Sequence, residues 1–310
     1  MALRFIFIGC CLFWTGWASS QQEPEKGSQA WLDALHAEVS ESVNSTASWF
    51  DSFFMDDSFY LNEKAGGEAR IMFGWEPRST ELNEFDTRFR VRVNLPNAKH
   101  QTDLVFSDYD DDEQNVPIRA ARNEAVADKN RFNLSLRWTS KHDKKRDVSH
   151  RIGIGRKLQP FVKSQYRRIF ELSPTSNINW ETSAYFYSRD GFGAHLMLQY
   201  ETNLSQNMLF RFDNHYYYRD RENDWVWQHG MYNYLQMDEK NALVYGLYIE
   251  GNSQPSYRPE EYLLSMRWRK NALREWLFFE IEPFLIWRRE EQFNTSVGIA
   301  LRVEGYFGHR

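Results

Sequence analysis

From residue 67 onward, apolar and polar side chains alternate with a period of two. Phe85, Thr87, Phe89, Val91, Val93 and Leu95 are interleaved with Asp86, Arg88, Arg90, Arg92 and Asn94. Successive side chains of a strand point to opposite faces, so this spacing predicts a strand that is apolar on one face and charged on the other. The pattern returns in Phe132, Leu134, Leu136 and Trp138 against Arg131, Asn133, Ser135 and Arg137. It recurs over 178–186, 192–201, 210–219, 243–250, 262–269, 277–287 and 297–307. About fourteen segments of roughly ten residues, separated by turn residues, predict an all-β chain closed into an antiparallel transmembrane barrel. The stretch 150–172, with Gly153, Gly155 and Pro160, reads as two strands or as one bent strand, so twelve is the alternative count.

Parity then sorts the connections. If the N-terminal segment is periplasmic, the short turns near 96–100, 173–177, 203–207 and 238–240 fall on the periplasmic side. The long connection 107–130 and the Pro-containing 251–260 fall outside. An even strand count returns the C-terminus to the periplasm, as closure of a bacterial barrel usually requires. The last strand departs from the commonest ending, because Phe307 is followed by Gly308, His309 and Arg310.

Residues 21–66 follow another rule. Trp31, Leu32, Leu35, Val39 and Val43 recur at helical spacing, and Trp49, Phe50, Phe53 and Phe54 follow. This predicts an amphipathic helical cap or plug; Asp33, Glu38 and Glu41 leave it no cationic face suited to anionic lipid. Before it, Arg4, the apolar run 5–17 and Ala18-Ser19-Ser20 form a secretory signal peptide over 1–20, with cleavage expected before Gln21. The predicted division is therefore signal 1–20, cap or plug 21–66 and barrel 67–310.

Composition narrows the function. Both cysteines, Cys10 and Cys11, lie in the signal, so the exported chain has no thiol chemistry. The formal charge is −5, and losing Arg4 with the signal makes it one unit more negative, which argues against a nucleic-acid partner. Aromatic residues make up 16%, although the mean hydropathy is −0.69. A soluble sandwich would also alternate, but it buries its apolar face in a shared core. Here the polar faces are rich in arginine and glutamate, and the apolar faces carry Trp or Tyr near their ends like an interfacial girdle.

Several segments resemble an uncharacterised family of predicted outer-membrane proteins from marine and related proteobacteria. They are Thr46-Ala47-Ser48-Trp49-Phe50-Asp51-Ser52-Phe53-Phe54, Phe161-Val162-Lys163 with Tyr166-Arg167-Arg168, Trp276-Leu277-Phe278-Phe279-Glu280-Ile281-Glu282-Pro283 and Phe307-Gly308. The resemblance implies export and a membrane barrel, and it brings no activity, substrate or catalytic residue.

The candidate lumen lining is a ladder of inward arginines, Arg88, Arg90, Arg92, Arg131, Arg137, Arg211, Arg267, Arg269 and Arg302. It faces Glu181, Glu201, Glu250, Glu280, Glu282 and Glu304. Such walls either set the selectivity of a pore or pair with each other and close it. The main expectation is a porin-like passive or plugged channel, or a structural envelope protein, in the cell outer membrane of a Gram-negative bacterium. Its expected surroundings are outer-membrane lipid, lipopolysaccharide and the barrel-assembly machinery. No cofactor, metal or catalytic residue is expected, and the oligomeric state is left open.

The alternative is an outer-membrane hydrolase. Asp213 and His215 share the inner face of one strand, an Asp-x-His arrangement similar to half of the omptin protease site, in which the aspartate makes the histidine a general base. Asp110, Asp111 and Asp112 would have to supply the facing acids. A second trio, Ser183, His195 and Glu201, lies on adjacent strands. The acidic run 107–113 lacks the ligand spacing and the glycine of a calcium loop, and Lys141, Lys144, Lys145 and Arg146 read as a solvated basic turn.

Overall fold

The computed structural model describes Trp49, Phe53 and residues 67–80, 82, 85–94, 101–108, 132–143 and 145–308. Fourteen strands follow one another: β1 (Gly67–Trp75), β2 (Phe85–Asn94), β3 (Gln101–Ser107), β4 (Asn133–Asp143), β5 (Arg146–Gly155), β6 (Gln159–Ser173) and β7 (Ser176–Tyr187). The second half is β8 (Gly191–Ser205), β9 (Met208–Arg219), β10 (Asp224–Asp238), β11 (Asn241–Asn252), β12 (Arg258–Asn271), β13 (Leu277–Arg288) and β14 (Thr295–Gly308). Each strand pairs antiparallel with its sequence neighbours, and β1 pairs with β14 from Glu68–Gly308 to Trp75–Leu301, closing the barrel. Closure leaves no sheet edge, the condition for a strand protein to sit in lipid.

The strand count resolves at 150–172 into two strands. Residues 156–158 form a 3-10 turn in which Lys157 and Leu158 take positive φ, so the chain reverses where glycines and a proline interrupt the alternation. At the end that carries the C-terminus, the turns are tight. In one of them Asp238 accepts hydrogen bonds from the Lys240 backbone N–H at 2.7 Å and from Asn241 Nδ2. The other end carries the connection 108–132 and otherwise short loops. We call these the turn end and the loop end.

The two faces are inverted relative to a soluble protein. Large apolar side chains stand exposed on the outside, among them Phe73 at 61%, Ile152, Phe186, Leu247 and Ile299. Trp75, Trp225 and Trp287 lie near the loop end of their strands, with Trp268 and Trp276 near the turn end. A continuous exposed apolar belt between two aromatic rings matches a bilayer and would be untenable in water. The inner face is mainly charged or polar over β2–β8, with Val105, Phe161 and Met197 among it. Over β9–β14 it also holds an apolar cluster that includes Leu209, Tyr232, Tyr234, Val244, Phe278 and Ile286.

Candidate functional site

Inside the barrel, β12, β13, β14 and β1 carry one connected ionic network. Arg269 bonds Glu304 at 2.5 Å and also Glu280, which accepts from Arg267 as well. Arg302 bonds Glu282 and Glu76, each at 2.5 Å, and lies 3.7 Å from Glu280; Arg70 meets Glu304. Ser265 donates to Glu282 at 2.6 Å. Arg70, Arg267, Arg269 and Arg302 thus balance Glu76, Glu280, Glu282 and Glu304, all buried. Charges removed from water are tolerated only when paired and hydrogen-bonded in this way.

Against this network sits a residue from outside the barrel strands. Phe53 is buried; its ring stacks on Trp49 at 4.6 Å and meets Phe278 edge-on at 5.6 Å. The Arg269 guanidinium lies 4.1 Å from the Phe278 ring centre and 5.9 Å from those of Phe53 and Tyr306. Phe278 opens β13 and Tyr306 nearly ends β14, so Phe53 is seated at the turn end of the lumen.

The wall that continues from β1 through β2–β6 has a different balance. Its described inner side chains include Arg88, Arg90, Arg92, Arg137, Arg151, Lys163 and Arg167, against Asp86, Asp103 and Asp147. Register sets like charges opposite each other: Arg137 faces Arg151, Arg151 faces Lys163, and Arg70 of β1 faces Arg90. Such cross-strand pairs are destabilising. Two unit charges held about 5 Å apart repel by about 3 kcal/mol at an effective dielectric near 20. Asp147 lies 3.8 Å from Arg137, Arg88 bonds Asp86 at 2.8 Å, and Arg167 grips Glu181 of β7 at 2.9 and 2.6 Å.

Between the two walls lies a histidine pair. His195 Nδ1 is 3.9 Å from Glu181 Oε1, and its Nε2 is 3.2 Å from His215 Nδ1. The Tyr217 hydroxyl lies 3.4 Å from that same His215 nitrogen, and the three rings are parallel to within 5°. One imidazole must donate N–H to the other, so the contact needs at least one neutral ring. Asp213 and His215 both face inward, each about 1–2% exposed.

The positions expected to line the lumen do face inward where described, and Arg131 lies outside the described residues. Glu250 accepts from Gln228 at 2.8 Å and from Tyr248 at 2.6 Å. Glu201 binds Arg211 at 2.7 Å, while the carboxylate beside His195 is Glu181, so the trio Ser183, His195 and Glu201 is not brought together. Asp110, Asp111 and Asp112 lie outside the described residues. Pattern reading passed over Arg70, Arg151, Lys163, Arg167 and Glu76. Parity taken from the outward Ile152 and Val162 would have found Arg151 and Lys163. Among the described residues, no group of three His, Cys, Asp or Glu could hold a metal ion.

No protein-family model matches the chain, and no curated protein matches it. Solved structures do. The chain is similar to in-vitro folded OmpT, an outer membrane protein of Vibrio cholerae, with a TM-score of 0.50 and 9% identity over 80% of this chain and 99% of that one. The outer membrane channel DcaP of Acinetobacter baumannii matches with a TM-score of 0.48 and 7% identity over 80% and 99%. At these identities the likeness is one of fold: a closed antiparallel barrel of the outer-membrane kind.

Proposed function

We propose that this chain is an outer-membrane channel, porin-like in fold, held closed at its turn end by the segment that carries Trp49 and Phe53. The observation that carries the reading is the seating of Phe53 on Phe278 and Arg269, inside a barrel whose lumen carries walls of charged side chains beside an apolar cluster. A lumen built only for stability would be filled with apolar side chains, because buried ion pairs can often be replaced by hydrophobic residues without loss. Walls of charge are what solute passage uses. The segment belongs to the stretch 21–66 expected to form a cap or plug. Burying one phenylalanine gives about 1.5–3 kcal/mol, enough to bias a gate and small enough to be released. In this reading the outer belt faces lipid, with lipopolysaccharide at the loop end, and the barrel-assembly machinery inserts the chain, as in the proteobacterial family it resembles.

Planar-bilayer conductance of the refolded full chain tests it. The wild type should open rarely, and Trp49→Ala/Phe53→Ala should conduct persistently. Silence from both proteins, with the barrel verified by its heat-modifiable mobility, would overturn the channel and leave a structural envelope role.

A further inference from the structure

We infer that the outer, lipid-facing wall carries a second site, in which Ser164 is a nucleophile and His150 its general base, acting on long-chain acyl esters of membrane lipids. The site stands apart from the channel reading, because it uses the outside of the barrel.

Three polar side chains meet on the outer faces of β4, β5 and β6. His150 Nδ1 lies 2.9 Å from Ser164 Oγ, and its Nε2 lies 3.4 Å from Ser140 Oγ. The Ser140 hydroxyl donates to the Val148 carbonyl at 3.3 Å, so its oxygen is left to accept the Nε2–H. Nδ1 then carries the lone pair, and the Ser164 O–H donates to it. That is the relation of a nucleophile to its base, with Ser140 as the group that orients the ring. Ser140 stands there because of a bulge: the register of β4 on β5 shifts between Thr139 and Lys141, and bulges re-aim side chains in this way. Trp138, opposite His150, walls the imidazole on its β4 side, with ring centroids 5.4 Å apart. Outward His229, by contrast, meets the side-chain amide of Asn214 at 2.8 Å, a pair that holds no nucleophile.

The surroundings fit a lipid ester. Ser164 is exposed, and the positions beside it across the sheet are small, Ala184 of β7 and then Ala194 of β8. The row on the loop-end side holds Phe186 and Phe192, each about half exposed, and the row on the turn-end side holds Tyr166 and Leu196. A shallow trough therefore leads from the hydroxyl across two strands, about 10 Å at the usual strand spacing, where an extended acyl chain can lie. Toward the turn end, the outer row of β6 passes through Tyr166 to exposed Arg168, whose guanidinium lies 4.5 Å from the Phe170 ring centre. An outward arginine keeps its charge among headgroups. Ser164, four residues away, then lies about 10 Å deeper at the tilt of a barrel strand. The step is acyl transfer. The Ser164 Oγ–acyl bond forms as the hydroxyl proton moves to His150 Nδ1; the ester C–O bond breaks, and that proton goes to the departing alcohol oxygen of the lipid. Water then attacks the acyl carbon, its proton passes through the same nitrogen to Ser164 Oγ as the acyl–serine bond breaks, and a fatty acid leaves.

The test exposes the refolded full chain, in phosphatidylethanolamine vesicles, to a long-chain alkyl fluorophosphonate and locates the adduct by peptide mass spectrometry. Wild type and a control, Ser205→Ala at an exposed turn, should be labelled at Ser164. Labelling should vanish in Ser164→Ala and slow at least about tenfold in His150→Gln, at the low end of what a general base contributes. Ser140→Ala should slow it too, and Ser140→Thr, which keeps the hydroxyl, should restore it. No adduct at Ser164, or His150→Gln labelled as fast as wild type, overturns the site. Fatty acid released from the same vesicles identifies phospholipid as the source of the ester. Release from lipopolysaccharide bilayers alone identifies that lipid instead, and release from neither overturns the lipid ester as substrate. Heat-modifiable mobility verifies each barrel. If His150→Gln fails to refold, the pH dependence of wild-type labelling is read: a rate that rises through the titration of an imidazole supports the base, and a flat profile overturns it.

Discussion

Arg137 of β4 and Arg151 of β5 occupy directly opposed positions on the inner face of one antiparallel pair. Across the barrel, Arg269 of β12 occupies the same kind of position opposite Glu280 of β13. Register therefore sets like charges opposite each other on one side of the lumen and opposite charges on the other.

The neutral network should be the more fragile under single substitution. Arg302→Ala leaves Glu76 and Glu282 buried without their shared cation, which should cost about 3–5 kcal/mol. The double change Arg302→Met/Glu282→Gln should recover part of that loss. Urea unfolding of the barrel in micelles, followed by its tryptophan fluorescence, measures both. Equal midpoints for wild type and Arg302→Ala would contradict the network's role.

The contact of Phe53 with Phe278 is testable as a cycle. Each Ala substitution should weaken docking, and because they remove the same edge-on pair they should be non-additive by about 0.5–1.5 kcal/mol. Protease susceptibility of the N-terminal segment in the folded barrel gives the readout. Strict additivity would separate the two rings.

Gly193 is where a methyl group should be felt. Gly193→Ala puts a Cβ into the Tyr185 ring, and overpacking of this kind costs about 1–3 kcal/mol. Tyr185→Ala in the same chain should relieve it. The comparison of unfolding midpoints for the single and double variants decides it, and a Gly193→Ala barrel as stable as wild type would show that the ring moves freely.

Asp108 supplies a pH test at the loop end. Its Oδ1 accepts the Phe89 backbone N–H at 2.8 Å, yet burial outweighs this bond and raises its carboxyl above the ordinary 3.8. A carboxyl raised in the folded state destabilises the fold above its folded pKa, and the penalty disappears as pH falls through the shifted value to below the unfolded one. Asp108→Asn, which keeps an acceptor and drops the charge, should be more stable than wild type at neutral pH and indistinguishable near pH 3. Midpoints measured from pH 3 to 7 check the sign, and a gap that widens in acid would refute it.

Much of this architecture was legible in the order of residues. Period-two alternation over 85–95, 132–138 and 277–287 marked which side chains face outward, and the arginines and glutamates left over face the lumen. The reading failed where local signals conflict. Gly153, Gly155 and Pro160 blurred β5 and β6, and with them went Arg151, Lys163 and Arg167, which complete the basic wall. The carboxylate grouped with His195 was sought on its own strand, at Glu201, whereas the one beside it is Glu181 of the neighbouring β7; both are inward, and only the partner strands tell them apart. Glu201 meets Arg211 of β9, and Glu181 meets Arg167 of β6 as well as His195.

The sequence by itself determined which face of each strand meets lipid and which meets the lumen. That choice is local: adjacent side chains point opposite ways whatever the strand pairs with. Only the tertiary structure decided which charges share a rung, since register depends on turns and on closure between β1 and β14, more than two hundred residues apart. It also decided that Phe53 belongs inside. An aromatic residue in a short helical stretch has many surfaces it could bury, and only the closed barrel offers Phe278, Tyr306 and Arg269 together at one end.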